Sequence, residues 1–448
     1  MVSREVDVVV EDMPTRGVVF WPVGTGDSTT VVVNDQIVMQ VDIHDLLKAD
    51  DDDTPEVAVV DRLAEALPVM DGMPYLAVFV LTHADQDHCR GFADLLAKVR
   101  IGELWATPRL WREFEDPDAV ICDDARAFQK EAERRVAATE KACAEGRAPQ
   151  SGDRILVIGY DTDHDKHAYD QLPDEYLAYP GEAISRLDGV DCVAQFEAFL
   201  HAPFKDDCAA PRNETSVAIQ VTLTDDTGIT GRILLFGDLA HDTIMKIFEY
   251  SEAHNRAGRL AWNVLLAPHH CSKKVMYVAD DDGVEQLKTD VLDAFERNAL
   301  PGATVVSSSC PVPASNKPGD NPPHANAKAR YLEMVEGADC FVCTMEWPNV
   351  DRPRPAVFML AADGLTLLDA AQIDEAAVSL SVKKATRSAR RLALVAGAAA
   401  VIGQQVAQRA SAAAPSPGSS GPAQVREAIT QARGNAAVPA TVTGFGGQ

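Results

Sequence analysis

The chain has 448 residues, 46% of them hydrophobic, and a formal net charge of -27. That length and apolar content suit one large domain or two ordinary ones and exclude a wholly disordered chain. The charge excludes a generic nucleic-acid coat, because a body of that sign repels phosphate except at a local basic patch or at bound cations.

The first elements read as a meander of strands: EVDVVV (5–10), GVVFWPV (17–23), TTVVVN (29–34) and QIVMQVD (36–42), parted by the turn-forming GTGDS and ND. After an acidic loop at 50–53, VAVVDRLAEALPVM has helical apolar spacing. YLAVFVLTH then reads as a buried strand running into LTHADQDHCRGF (81–92), and GFADLLAKV begins a helix. Residues 123–146 form a strongly charged helical pattern inside a helical insertion at about 110–150, expected to lie as a solvated cover. RILVIGY, SVAIQVTL, GRILLFGD and NVLLAPHHCS read as strands and HDTIMKIFEY as a helix. Strand and helix keep alternating through TVVSSS, ANAKARYLEMV, FVCTME, AVFMLA and GLTLLD. The expectation is an α/β body ending near residue 382.

Residues 383–448 hold eight Lys/Arg against one acid, Glu427, a net +7 that leaves -34 for the rest of the chain. The longest apolar stretch, LALVAGAAAVIG (392–403), falls short of the roughly 20 residues of a spanning helix, so no transmembrane segment is expected. Residues 383–410 read as a basic, then Ala-rich helical segment for a protein or membrane-surface partner, and 411–448 as a flexible tail. Nine cysteines without a framework pattern, and VSREVDVVVED after Met1 in place of a leader, point to the cytoplasm. Cys340 and Cys343 form a single CxxC and read as ordinary packed thiols.

Chemistry concentrates at strand ends. His83, Asp85, Asp87 and His88 fall within six positions directly after a buried strand, where the chain turns and side chains can converge on one point. Imidazole and carboxylate together suit divalent transition ions, and two such sets can hold two ions about 3.5 to 4 Å apart. Asp238 in LLFGDLA ends a second strand, placed to bridge two ions, and His269 and His270 in APHHCS end a third.

In order, GTGDSTTVVV, QVDIHD, LTHADQDHCRGF, RNETSVAIQV, LLFGDLA and APHHCS resemble the motifs of the metallo-β-lactamase fold superfamily over residues 15–335. The similar branch is the one with HxDxDH, which includes the hydrolase domain of competence DNA-internalisation proteins and choline-phosphate esterases. The resemblance implies a four-layer αββα sandwich over residues 1–382 and a dinuclear metal-dependent hydrolase.

By position it gives His83, Asp85 and His201 to a first ion and Asp87, His88 and His270 to a second, with Asp238 bridging, a buried capping histidine being the alternative for His201. His269 would touch a substrate oxygen, the division of labour within the His pair being left open. Asp42 would orient a ligand histidine, and Asp27 would do likewise or hold its turn. Asn213 and His324 resemble residues near the substrate, with turn or capping work as their alternative. Cys89 and Cys271 depart from the branch's pattern and would place soft groups near the mouth, with a small buried hydrophobe as the alternative reading of each thiol.

The implied cofactors are two divalent ions, Zn2+ or Mn2+. A carboxylate at Asp85 in place of imidazole adds a hard, anionic oxygen and moves the preference towards Mn2+. The implied activity is hydrolysis of a phosphodiester, nucleic acid or nucleotide among them, with Asp87 in the centre and His269, Lys273 or Lys274 facing the leaving oxygen. The rivals are a thioester, lactone or amide hydrolase of the same superfamily, and a partner-binding effector subunit with a latent site.

Overall fold

Two mixed β-sheets form the centre of the computed structural model, which describes residues 13–50, 55–116, 119–159, 167–204, 211–280, 282–317 and 319–369. All of these fall in the unit Met1–Ser381. The strand expected at 5–10 and everything expected of residues 383–448 lie outside the described residues.

The first sheet is ten-stranded. One half is the expected meander, in which Gly17–Phe20, Thr29–Val32 and Val38–Val41 pair antiparallel. The other half is parallel, running from Val38–Val41 to Met73–Val80, Arg100–Ala106 and Arg154–Ile158. The second sheet, of seven strands, repeats this division. Phe196–Ala202, Ala218–Thr224 and Thr230–Leu235 are antiparallel, whereas Thr230–Leu235, Trp262–Leu266, Ala299–Ser307 and Phe341–Cys343 are parallel.

This pairing produces three apolar layers. Phe20, Met39, Val78 and Trp105 of the first sheet meet Ile219, Ile233, Val264 and Val306 of the second, so the sheets are packed face to face. On the outer side of the first sheet lie Leu63, Phe92, Leu95 and Phe128, from the helices Val59–Ala66, Phe92–Lys98 and Asp123–Ala144. The second sheet is covered by Ile244 and Phe248, Val291 and Phe295, and Tyr331, from His241–Ala253, Asp290–Asn298 and Ala325–Met334. The layer order is therefore αββα, as expected. Sheets covered on both faces need strands apolar on both faces, which explains continuous runs such as YLAVFV and NVLL.

One expectation changes. The helix Asp123–Ala144 is not merely a solvated cover, because Ala125, Phe128, Ala132 and Val136 bury a stripe at helical spacing in the outer layer. Arg135 is buried beside them and donates to the carbonyls of Ile101 (2.9 Å), Gly102 (3.1 Å) and Arg154 (3.2 Å). It thereby joins the helix to two strands of the parallel half. Among the described residues no helix is long and apolar enough to cross a membrane.

Candidate metal centre

Four strands in parallel pairs end at one place. Val38–Val41 beside Met73–Val80 belongs to the first sheet, and Thr230–Leu235 beside Trp262–Leu266 to the second. The carboxyl ends of parallel strands are where open α/β sheets present ligands. Here the two sets meet, joined by the Val217 N–H donating to the Thr82 carbonyl (3.1 Å).

Local geometry brings the side chains together. The chain leaves Met73–Val80, reaches an extended Asp85 and makes a single helical turn, Gln86–Cys89, which returns Asp87 and His88 over the strand end. Gly91, with φ of 96°, closes the turn in a conformation natural to glycine. In the second sheet Gly237 (φ 53°) turns the chain into Asp238, and a side chain there would press on Ser216. His269, His270 and Cys271 hold three successive left-handed conformations (φ 52°, 54° and 64°). Each costs a non-glycine residue about 1–3 kcal/mol. They are held by the His269 N–H on Gly237 (3.0 Å) and the His324 N–H on Cys271 (3.1 Å).

Asp238 divides its two oxygens. Its Oδ1 lies 3.1 Å from His88 Nε2 and 3.4 Å from His270 Nε2. Its Oδ2 lies 3.6 Å from His269 Nε2 and 3.9 Å from His83 Nε2. Asp87 Oδ2 stands 3.3 Å from His270 Nε2, and Asp85 Oδ2 3.4 Å from His83 Nε2. The cluster thus consists of two half-sites about one carboxylate: His83, Asp85 and His269 on one side, Asp87, His88 and His270 on the other.

Each half-site has its own bracing. Asp42 Oδ2 is 2.7 Å from His88 Nδ1, and Asp42 is itself held by the Thr82 N–H (2.7 Å) and hydroxyl (2.6 Å). Asp27 Oδ1 is 3.3 Å from His270 Nδ1, a charge contact outside hydrogen-bond geometry. Both Nε2 atoms face inward. His83 Nδ1 instead meets the hydroxyls of Thr82 (3.1 Å) and Ser216 (3.2 Å). Asp85 Oδ1 receives an N–H of Arg212. Asn213 Nδ2 donates to Asp238 Oδ2 (3.4 Å).

The electrostatics are those of an anionic hole. Burial opposes charge on His88 and His270, yet Asp238, with Asp42 for the one and Asp27 for the other, outweighs it and holds both well above the imidazole range. Burial likewise opposes ionisation of Asp238, but His270, His88 and His83 hold it well below the carboxylate range. Asp87 and Asp85 are lowered against burial, by His270 and His88 and by His83 and Arg212 respectively.

A metal fits this donor set. Asp27, His88, Asp238 and His270, all buried, bring ligand atoms within 4.8 Å of one another, the one such group among the described residues; it lies on the His88 side and includes Asp27 where the sequence offered Asp87. Among the described residues, His83 Nε2 and Asp238 Oδ1 are buried without a hydrogen-bond partner. An orphaned buried polar atom costs about 1–3 kcal/mol. The two atoms face opposite sides of the cluster, and a cation on each side would satisfy them.

Other expected residues are placed elsewhere. His201 is not brought to the cluster: its Nε2 lies 3.0 Å from the Arg259 carbonyl oxygen, and its ring meets Phe199 edge-on. The pairing register shifts between Leu200 and Ala202, a bulge that re-aims the ring between them. Burial pushes His201 down to about 4, the hydrogen bond to Arg259 opposing, so it is a neutral buried histidine. His324 stands at the start of Ala325–Met334 with both nitrogens used, Nδ1 by the Lys273 N–H (3.2 Å) and Nε2 on the Asp320 carbonyl (3.1 Å). It braces the loop after the His pair and has no ring nitrogen left for a substrate. Lys273 Nζ is held by Glu285 (2.5 Å), whereas Lys274 is exposed and its charge is felt at His269. Cys89 and Cys271 are fully buried and do not line a mouth.

Two further site residues are not anticipated by the sequence motifs. Arg212 stands directly before Asn213 and binds Asp85 and Glu113. His44, two positions after Asp42, is buried against Gly26, and a side chain at Gly26 would overlap its ring. Burial lowers it to about 4, with Asp87 opposing. Its sequence signal is the same QVDIHD that marks Asp42.

No protein-family model matches the chain, and no curated protein does. Among solved structures it is similar to the metallo-β-lactamase MIM-1 from Novosphingobium pentaromativorans, with 13% identity over 56% of this chain and 73% of that one. The TM-score is 0.26, so the fold rests on the layers and pairings described above.

Proposed function

We propose that the cluster holds two divalent cations and that the protein is a metal-dependent hydrolase acting on phosphodiesters. The observation that carries this reading is the division of Asp238, one oxygen to each half-site. His83, Asp85 and His269 would hold one ion with Asp238, and Asp87, His88 and His270 the other. His269 thus takes the place expected for His201. With the histidines neutral, as metal ligands must be, and Glu113 counted against Arg109, the five carboxylates Asp27, Asp42, Asp85, Asp87 and Asp238 set against the Arg212 guanidinium leave four negative charges, which two divalent ions would balance. Ions held there supply Lewis acidity and bring the ionisation of water towards neutral pH.

The chain's own residues do the rest. Asp42 fixes which nitrogen of His88 faces inward, and Asp27 places its charge beside Nδ1 of His270. Asp85 and Asp87, with side chains 29% and 36% exposed, carry the centre to solvent, where a substrate can reach it. Lys274 is a cation beside the centre that forms no ion pair among the described residues, and Asn213 adds an amide at Asp238. A free ammonium at this place suits an anionic ester and has no task with a thioester or lactone. A nucleic acid or a small diester would satisfy the same groups.

The test is turnover by the purified full chain with Mn2+ or Zn2+ of bis-p-nitrophenyl phosphate, single-stranded DNA and a thioester. Metal-dependent cleavage of a phosphodiester is expected, with KM raised several-fold by Lys274→Ala. Inactivity on both phosphodiesters with either metal overturns the reading, and turnover of the thioester alone transfers it to the rival hydrolase class.

A further inference from the structure

Arg212 reaches the first half-site from the short helical turn Arg212–Thr215, which lies directly before the strand Ala218–Thr224. The turn is stiffened by its own side chains: the Thr215 hydroxyl donates to the Arg212 carbonyl (2.6 Å) and the Ser216 hydroxyl to that of Asn213 (2.7 Å). It delivers three groups at once, Ser216 to His83, Asn213 to Asp238 and Arg212 to Asp85.

All three guanidinium nitrogens are engaged. One terminal nitrogen donates to Asp85 Oδ1, Nε donates to Glu113 Oε1 (2.5 Å), and the other terminal nitrogen donates to the Val120 carbonyl (3.1 Å). Glu113 is itself buried and is shared with Arg109 Nε at 3.3 Å, so the fork is anchored at its base. A planar, permanently charged fork held at three points sets the rotation of the carboxylate it grips. Because it takes Oδ1, the other oxygen, Oδ2, is the one left beside His83 Nε2 (3.4 Å).

The second half-site has no counterpart. Asp87 is paired with His270, and among the described residues no arginine or lysine bonds to it. The two HxDxDH carboxylates therefore differ in charge as well as in position. With Glu113 counted against Arg109, the Asp85–Arg212 pair sums to zero, as a neutral imidazole would, while Asp87 presents its full charge.

On the two-ion reading above, we infer that Arg212 is a positioning and selectivity residue which makes Asp85 act on the first ion as an uncharged oxygen ligand. This reverses the expectation drawn from the aspartate alone. A bare carboxylate favours hard ions such as Mn2+; a carboxylate neutralised by a guanidinium loses much of that bias, and the borderline Zn2+ gains by comparison. The selectivity of the first half-site is then set by a residue that touches neither the ions nor the substrate.

The experiment compares Zn2+ and Mn2+ affinities of the metal-stripped full chain, titrated in competition with a chromophoric chelator. The first half-site is identified by its loss in Asp85→Ala. Arg212→Met is measured beside Arg212→Lys and beside Arg212→Met combined with Glu113→Gln, which avoids leaving a buried Glu113 carboxylate with only the longer contact to Arg109 Nε (3.3 Å). The Zn2+/Mn2+ affinity ratio at the first half-site is expected to fall about tenfold in both Met variants, a size typical of groups behind a ligand. The ratio should be largely kept in Arg212→Lys and unchanged at the second half-site in all three. A ratio within twofold of the parent in Met variants that still bind two ions overturns the inference, as does an equal change at both half-sites. A parent chain that binds fewer than two ions instead overturns the two-ion reading, and this inference with it.

Discussion

Behind His88 and His270 stand the carboxylates of Asp42 and Asp27; among the described residues, behind His83 stand only the hydroxyls of Thr82 and Ser216, and behind Asp85 a guanidinium. The two half-sites are alike in the residues that face inward and opposite in what supports them. One is surrounded by negative charge; the other is close to electrically balanced. A carboxylate behind a histidine raises its basicity and fixes its ring, so the difference is one of ion affinity. On the two-ion reading, the half-site of Asp87, His88 and His270 is expected to hold its ion more tightly than that of His83, Asp85 and His269.

The largest effect should come from the group the half-sites share. Asp238→Ala removes an oxygen from each, and the purified variant should retain neither ion by elemental analysis after dialysis. A full equivalent retained there would show the half-sites to be independent. Next is the order of release. A graded chelator titration of the parent chain should empty the first half-site at a chelator concentration about tenfold lower than the second, the Asp85→Ala chain marking which step is which. Simultaneous release would remove the distinction.

A smaller and more local change tests its cause. Asp42→Asn keeps the shape and takes the charge, and should weaken the second ion by about 10–100-fold, bringing the two affinities together. Ser216→Ala, which removes only a hydroxyl from His83, should weaken the first ion by much less. The smallest effect on metal belongs to His201. His201→Gln should leave both ions in place while lowering stability by about 1–3 kcal/mol in denaturant unfolding, the range for disturbing a buried, hydrogen-bonded side chain.

Much of the centre is legible in the sequence, for physical reasons. Ligands at strand ends are readable because the strands announce themselves: YLAVFV and GRILLF are apolar on both faces, and the chain leaving each of them must turn at the sheet edge. Asp42 can be anticipated in the same way. Arg212 cannot, since its partners Asp85 and Glu113 lie 127 and 99 positions away and nothing local marks an arginine as a clamp. His201 misleads because a bulge between Leu200 and Ala202 leaves no trace in letters, and a histidine at the end of a strand looks the same whichever way it points. Residues 123–144 mislead for another reason: charged residues outnumber the large apolar ones, and the buried stripe is built mostly of Ala, Thr and one Arg around Phe128 and Val136.

Counting ions on the full chain tests the account most directly. Equilibrium dialysis against Mn2+ or Zn2+ with elemental analysis should give two per chain, one in Asp85→Ala and none in Asp238→Ala. One ion or none in the parent, or two retained in Asp238→Ala, would contradict a centre built from two half-sites around a single carboxylate.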